Sequence, residues 1–117
     1  MMKFGHIEIF VKDPLISKEF YEKVIGFEIT EIQHGKFVWM KFGDNEFLLR
    51  PGKNDLNVSE YKHSNTGFVF YTSELGKAKS ELIKRGLEFK GTDGSDECLT
   101  FTDPDGNWFQ LVNPNHT

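Results

Sequence analysis

Along the chain, apolar positions recur first at every second residue, then at every third or fourth, and this change of period comes round twice. From Phe4 to Val11, Ile7, Ile9 and Val11 alternate with His6, Glu8 and Phe10. A period of two marks a strand with one face on a packed layer and the other on something more polar. Asp13-Pro14 then offers a cap and a first helical position. From Leu15 to Ile25, Ile16, Phe20 and Val24 recur at helical spacing with Tyr21 and Ile25 beside them. That predicts an amphipathic helix, and Gly26 ends it. Phe27–Gln33, Phe37–Phe42 and Phe47–Arg50 read as strands, with His34-Gly35 and Gly43-Asp44-Asn45 as the turns. The first half is β-α-β-β-β.

Pro51 to Asn65 is polar and without period, and reads as a loop or linker. The order then begins again. Gly67–Thr72 is a strand with Phe68 and Phe70 on one face, and Ser73 is placed to cap a helix striped by Leu75, Ala78, Leu82 and Ile83. Gly86 ends that helix, and Leu87–Lys90, Cys98–Thr102 and Trp108–Val112 follow as strands. Asp103-Pro104-Asp105-Gly106 has the residue types of a tight reversal. The repeat points to one pseudo-duplicated domain over residues 1–117: module one at about 1–52, a linker at about 53–65, module two at about 66–117. The fold class is α+β. Each half has a four-stranded sheet and a single helix, and two such halves would form a curved mixed sheet around a hollow with helices outside.

Composition narrows the function. Twelve Phe, three Tyr and two Trp in 117 residues supply the apolar mass for one core. The net charge is −4 and no basic run exceeds Lys84-Arg85, so neither nucleic acid nor an anionic membrane surface is an expected partner. A single cysteine, Cys98, excludes an internal disulfide and reads as a small strand residue. Met1-Met2-Lys3-Phe4 lacks an apolar signal core, and no apolar run approaches the ~20 residues of a membrane span, so a cytoplasmic protein is expected. Ser-His-Asp ordering, a Gly-rich phosphate loop and HExxH are all missing.

Four segments resemble the vicinal-oxygen-chelate superfamily of glyoxalase I, bleomycin-resistance proteins and extradiol dioxygenases. They are Gly5-His6-Ile7-Glu8-Ile9-Phe10-Val11, Phe20-Tyr21-Glu22-Lys23-Val24-Ile25-Gly26-Phe27-Glu28, Lys84-Arg85-Gly86, and Thr102-Asp103-Pro104-Asp105-Gly106-Asn107-Trp108-Phe109-Gln110-Leu111. The resemblance implies paired βαβββ modules, the order already read from periodicity. Metal-dependent members place ligands at four strand positions, which fall here on His6, Leu48, Gly67 and Gln110. One imidazole and one neutral amide are too few for a catalytic divalent metal, which wants three protein ligands. No cofactor is therefore expected. A register slide of two puts Glu46 in place of Leu48 and leaves the set His6, Glu46 and Gln110. The fosfomycin-resistance and extradiol-dioxygenase branches use a fuller His/Glu set than this.

Strand parity groups Trp39 with Phe37, Trp108 with Gln110, and Gly67 with Val69 and Tyr71. The leading reading is a metal-free protein of the bleomycin-resistance type, binding a small aromatic or cationic organic molecule in the hollow. His6, Glu8, Trp39, Tyr71, Trp108 and Gln110 are its candidate lining. The resemblance implies a homodimer. One rival is a metal-dependent lyase or isomerase of the glyoxalase type using His6, Glu46 and Gln110. Another is a structural or regulatory dimer whose hollow is filled.

Overall fold

Strand β1 (Ile7–Val11) turns Ile9 and Val11 into the core and leaves Glu8 and Phe10 on its other face, as two-residue alternation requires. The computed structural model describes residues 1–52 and 57–116; residues 53–56 of the expected linker lie outside the described residues. Two compact units divide the chain, Met1–Asp55 and Leu56–Thr117, each with its own sheet.

In the first unit, Asp13 caps helix α1 (Pro14–Glu19): its Oδ1 accepts the Leu15 N–H at 3.0 Å, and Pro14 fills the first position. The expected helix to Ile25 is present, but from Phe20 to Ile25 it widens into a π-helical turn. Gly26 closes it at φ +105°, donating its N–H to Tyr21 O at 2.8 Å, the i→i+5 bond of the wider turn. The buried face is already set in α1, before the wider turn begins. Pro14, Ser17, Tyr21 and Ile25 point inward, whereas Ile16, in the expected stripe, is 70% exposed. Tyr21 decides the matter as the largest fully buried side chain, with Phe20 and Phe27 edge-on at 5.4 and 5.2 Å.

The remaining strands of this unit are β2 (Glu28–Gln33), β3 (Phe37–Phe42) and β4 (Asn45–Pro51). The sheet order is β1-β4-β3-β2, with β1 parallel to β4 and the other pairs antiparallel. β2 begins one residue later than expected because Phe27 finishes the helix cap, its ring wedged against Phe42 and Phe47 at 5.0 and 5.1 Å. Helix α1 lies against β3 and β4. Register then aligns Glu8, Leu48 and Trp39 across three strands, with Phe10 opposite Arg50 two residues further along.

The second unit opens with a 3₁₀ turn at Tyr61–His63, followed by β5 (Phe68–Tyr71), helix α2 (Leu75–Lys84), β6 (Cys98–Thr102) and β7 (Trp108–Val112). Its sheet order is β5-β7-β6, with β5 parallel to β7. The expected strand at Leu87–Lys90 does not form as a regular strand. Lys90 N–H donates to Thr100 O (2.7 Å) and Thr100 N–H to Gly91 O (3.0 Å), but Gly91 turns the chain at φ +92° and only a Thr92–Leu99 bridge follows. Module two is thus β-α-β-β with an irregular segment on its edge. Ser73 does not cap α2; Thr72 Oγ1 accepts the Glu74 N–H at 3.1 Å one step earlier. Phe109 centres this core, stacked on Phe101 at 5.3 Å and on Phe70 at 5.8 Å. Among the described residues no helix is long and apolar enough to cross a membrane.

Candidate functional site

On the face of the first sheet turned away from α1, side chains from all four strands join in one chain of contacts. Glu8 sits at its centre. Its Oε1 accepts Arg50 Nη1–H at 3.0 Å and its Oε2 lies 2.9 Å from His6 Nε2. Both partners favour the carboxylate, first the His6 hydrogen bond and then Arg50, and hold the Glu8 carboxyl below its ordinary range. The Arg50 guanidinium lies over Phe10 at 5.3 Å and Phe37 at 5.8 Å. Its Nε is buried without a hydrogen-bond partner among the described residues, as expected of a group placed between two rings.

Trp39 forms the other side of this face. Its ring meets the His6 imidazole edge-on at 4.7 Å, and its indole N–H donates to Gln33 Oε1 at 2.9 Å. Gln33 in turn donates to Glu31 Oε2 at 3.0 Å. Three of the six expected lining residues, His6, Glu8 and Trp39, are therefore brought together. Arg50 and Gln33 were missed, although parity signals both. Arg50 follows Leu48 by two on β4, and Gln33 lies opposite Phe37, two residues from Trp39. The side chains of His6 and Glu8 are about one-third accessible.

In the second unit Trp108 and Gln110 are buried and Tyr71 is 74% exposed. Trp108 donates its indole N–H to Val58 O at 3.3 Å and lines a depression of about 300 Å³ with Asn57, Ser59, Lys90, Thr102 and Asp103. Gln110 Nε2 donates to Asp93 Oδ2 at 3.1 Å, and its side chain also hydrogen-bonds Tyr61. Burial pushes the Tyr61 phenol up, the Asp93 charge adds to this, and the Gln110 hydrogen bond opposes it. Tyr61 stands over Gly67, where a β-carbon would collide with its hydroxyl. Nothing in the sequence signalled this residue, which lies in the polar stretch read as a linker.

The ligand positions implied by the resemblance do not fit a divalent metal. Leu48 is a buried hydrocarbon between Glu8 and Trp39, and Gly67 has its side-chain space filled by a phenol. Gln110 is committed to Asp93, and His6 Nε2 to Glu8. The substitute Glu46 is exposed on β4 opposite Lys41. No group of three or more His, Cys, Asp or Glu among the described residues is placed to hold a metal ion.

Solved structures share this architecture at low identity. A fosfomycin resistance protein, FosX, from Listeria monocytogenes, complexed with Mn(II) and sulfate, has TM-score 0.75 and 16% identity, over 97% of this chain and 90% of that one. Lactoylglutathione lyase from Agrobacterium tumefaciens has TM-score 0.70 and 17% identity, over 97% and 95%. TioX from Micromonospora sp. ML1 has TM-score 0.69 and 13% identity, over 95% and 98%. These likenesses establish the fold. No curated protein matches the sequence. The family model for the Glyoxalase/Bleomycin resistance protein/Dioxygenase superfamily matches residues 3–111, nearly the whole chain, and the chain belongs to that superfamily.

Proposed function

We propose that this chain is a small-molecule-binding protein working without a resident metal, and that it takes a flat organic ligand on the His6–Glu8–Trp39 face of its first sheet. The observation that carries the reading is the contact chain from Glu31 through Gln33, Trp39, His6 and Glu8 to Arg50. It fixes an aromatic wall and polar groups in one orientation, the arrangement that suits a planar ring bearing a few hydrogen-bonding substituents. Arg50 already offsets the Glu8 charge, so the aromatic part of the expected ligand is favoured over the cationic part. Val69 and Tyr71, exposed on edge strand β5, support the further proposal of a homodimer. A cytoplasmic location is proposed with it.

The test combines metal analysis with fluorescence. Protein incubated with Ni²⁺, Zn²⁺, Mn²⁺ or anaerobic Fe²⁺ and stripped of loose ions should retain no stoichiometric metal. Trp108→Phe leaves Trp39 as the reporter, and a panel of planar aromatic acids, amines and neutral heterocycles should change its emission saturably. One tight ion per chain would instead favour a glyoxalase-type lyase or isomerase. Ligand responses that survive Trp39→Phe would move the site elsewhere.

A further inference from the structure

We propose that the His6–Glu8 pair is a general base that removes a proton, without metal, from a flat carbon acid stacked against Trp39. The inference rests on reading that face as a small-molecule site, and adds an activity to it. Geometry carries the argument. Glu8 has both carboxylate oxygens engaged, Oε1 by Arg50 at 3.0 Å and Oε2 by His6 Nε2 at 2.9 Å. An ionised carboxylate only accepts, so in neutral His6 the proton sits on Nε2 and Nδ1 keeps its lone pair. Nδ1 has no hydrogen-bond partner among the described residues.

The imidazole is also held in place. Trp39 meets it at 4.7 Å with the planes 68° apart, and Gln33 pins the indole. A base oriented by a carboxylate, beside an aromatic surface where a planar substrate can lie, is the arrangement that proton abstraction needs. No Ser, Thr or Cys side chain is hydrogen-bonded to His6 among the described residues, so the pair has no nucleophile to activate. Proton transfer is the chemistry that the oriented imidazole itself supplies.

A nitrobenzisoxazole is a suitable probe, being flat, aromatic and acidic at one ring carbon. His6 Nδ1 would take that carbon's proton. The C–H electron pair forms the third bond of a nitrile, the ring N–O bond breaks, and its pair leaves on oxygen as a nitrophenolate. The imidazolium then returns its proton to water. Atoms and electrons balance with no oxidant, reductant or metal.

The experiment follows nitrophenolate release by the full chain, with metal chelated, against free imidazole at equal concentration. The expected rate is about a hundredfold above imidazole, within the range of a positioned base. His6→Gln should abolish the excess. Glu8, as a positioning residue, should act on kcat more than on KM when changed to Gln. Nitrogen NMR should show the His6 proton on Nε2 in the parent and redistributed in Glu8→Gln, a signature independent of turnover. Circular dichroism of each variant separates lost chemistry from lost fold. A rate no greater than imidazole, or an excess that survives His6→Gln, overturns the inference. Saturable quenching of Trp39 by the probe without His6-dependent turnover would overturn it while leaving the binding reading intact.

Discussion

The Tyr61 hydroxyl occupies the space that any side chain on Gly67 would need. A residue from the stretch read as a linker thus fills the position just before β5, and ties it through Gln110 to Asp93 on a third segment. Gly67→Ala forces the phenol aside and should cost about 1–3 kcal/mol, as over-packing does. Combining it with Tyr61→Ala should relieve part of that cost, giving a coupling measurable in a double-mutant cycle by urea unfolding. Additive costs would mean that the two residues do not compete for the same space.

Tyr61 also gives a pH prediction on the alkaline side. Its folded pKa lies above the ordinary tyrosine value, so the native state retains the phenolic proton after the unfolded chain has lost it. Its contribution is fully present below about pH 10 and is lost as pH rises through the folded value. The urea midpoint should therefore fall above about pH 10 more steeply in the parent than in Tyr61→Phe. Absorbance titration should show one of the three tyrosines ionising later than the others.

Glu8 predicts the opposite limb. His6 and Arg50 lower its folded pKa, so the unfolded chain takes the proton first as pH falls. The stabilisation is present above the ordinary glutamate value of about 4.3 and is lost as pH drops below it. Glu8→Gln should flatten this part of the stability–pH curve. The effect should shrink at high salt, because the group is accessible and its pairing screened.

How much of this was legible follows from which interactions are local. Alternation along β1 and β3 fixes side-chain direction, so Glu8 and Trp39 could be assigned to one sheet face from the sequence alone. Asp13 capping and the Asp103–Gly106 turn were equally legible, because each is a bond between near neighbours. The helix face was misread because Ile16, Phe20 and Val24 repeat at the same helical spacing as the buried Pro14, Ser17, Tyr21 and Ile25, and the choice between them rests on non-local packing of Tyr21. Leu87–Lys90 has the composition of a strand, yet Gly91 breaks its ladder. Tyr61 was invisible because its partners Asp93 and Gln110 lie far along the chain.

The two tryptophans should separate in stability. Trp108 is 3% exposed and satisfies its N–H on backbone, whereas Trp39 is half-buried with its N–H given to an exposed Gln33. Trp108→Ala should cost about 3–5 kcal/mol, the range for a buried aromatic. Trp39→Ala should cost less, on the order of 1–2 kcal/mol, because less area returns to water. Equal large losses in urea unfolding would favour the filled, structural reading of the first sheet face over a ligand site.

The Asp103 turn supplies the last test, on the segment that most resembles the superfamily. Asp103 is 2% exposed, and its Oδ1 accepts the N–H groups of Asp105 and Asn107 at 2.9 and 2.8 Å. Its Oδ2 accepts Asn107 Nδ2–H at 2.8 Å. Three donors on a buried carboxylate replace the water it gave up, and removing it strands them. Asp103→Ala should cost about 3 kcal/mol, and Asp103→Asn less, since the amide oxygen still accepts. Gly106, at φ +89° with the Asn57 amide in the space a β-carbon would take, should tolerate Ala poorly as well, by at least about 1–2 kcal/mol. Urea unfolding of the three variants orders these costs. A neutral Asp103→Ala would mean that the turn is held by its backbone alone, by the Gly106 N–H to Asp103 O and Asp103 N–H to Asn107 O bonds at 3.1 and 3.0 Å.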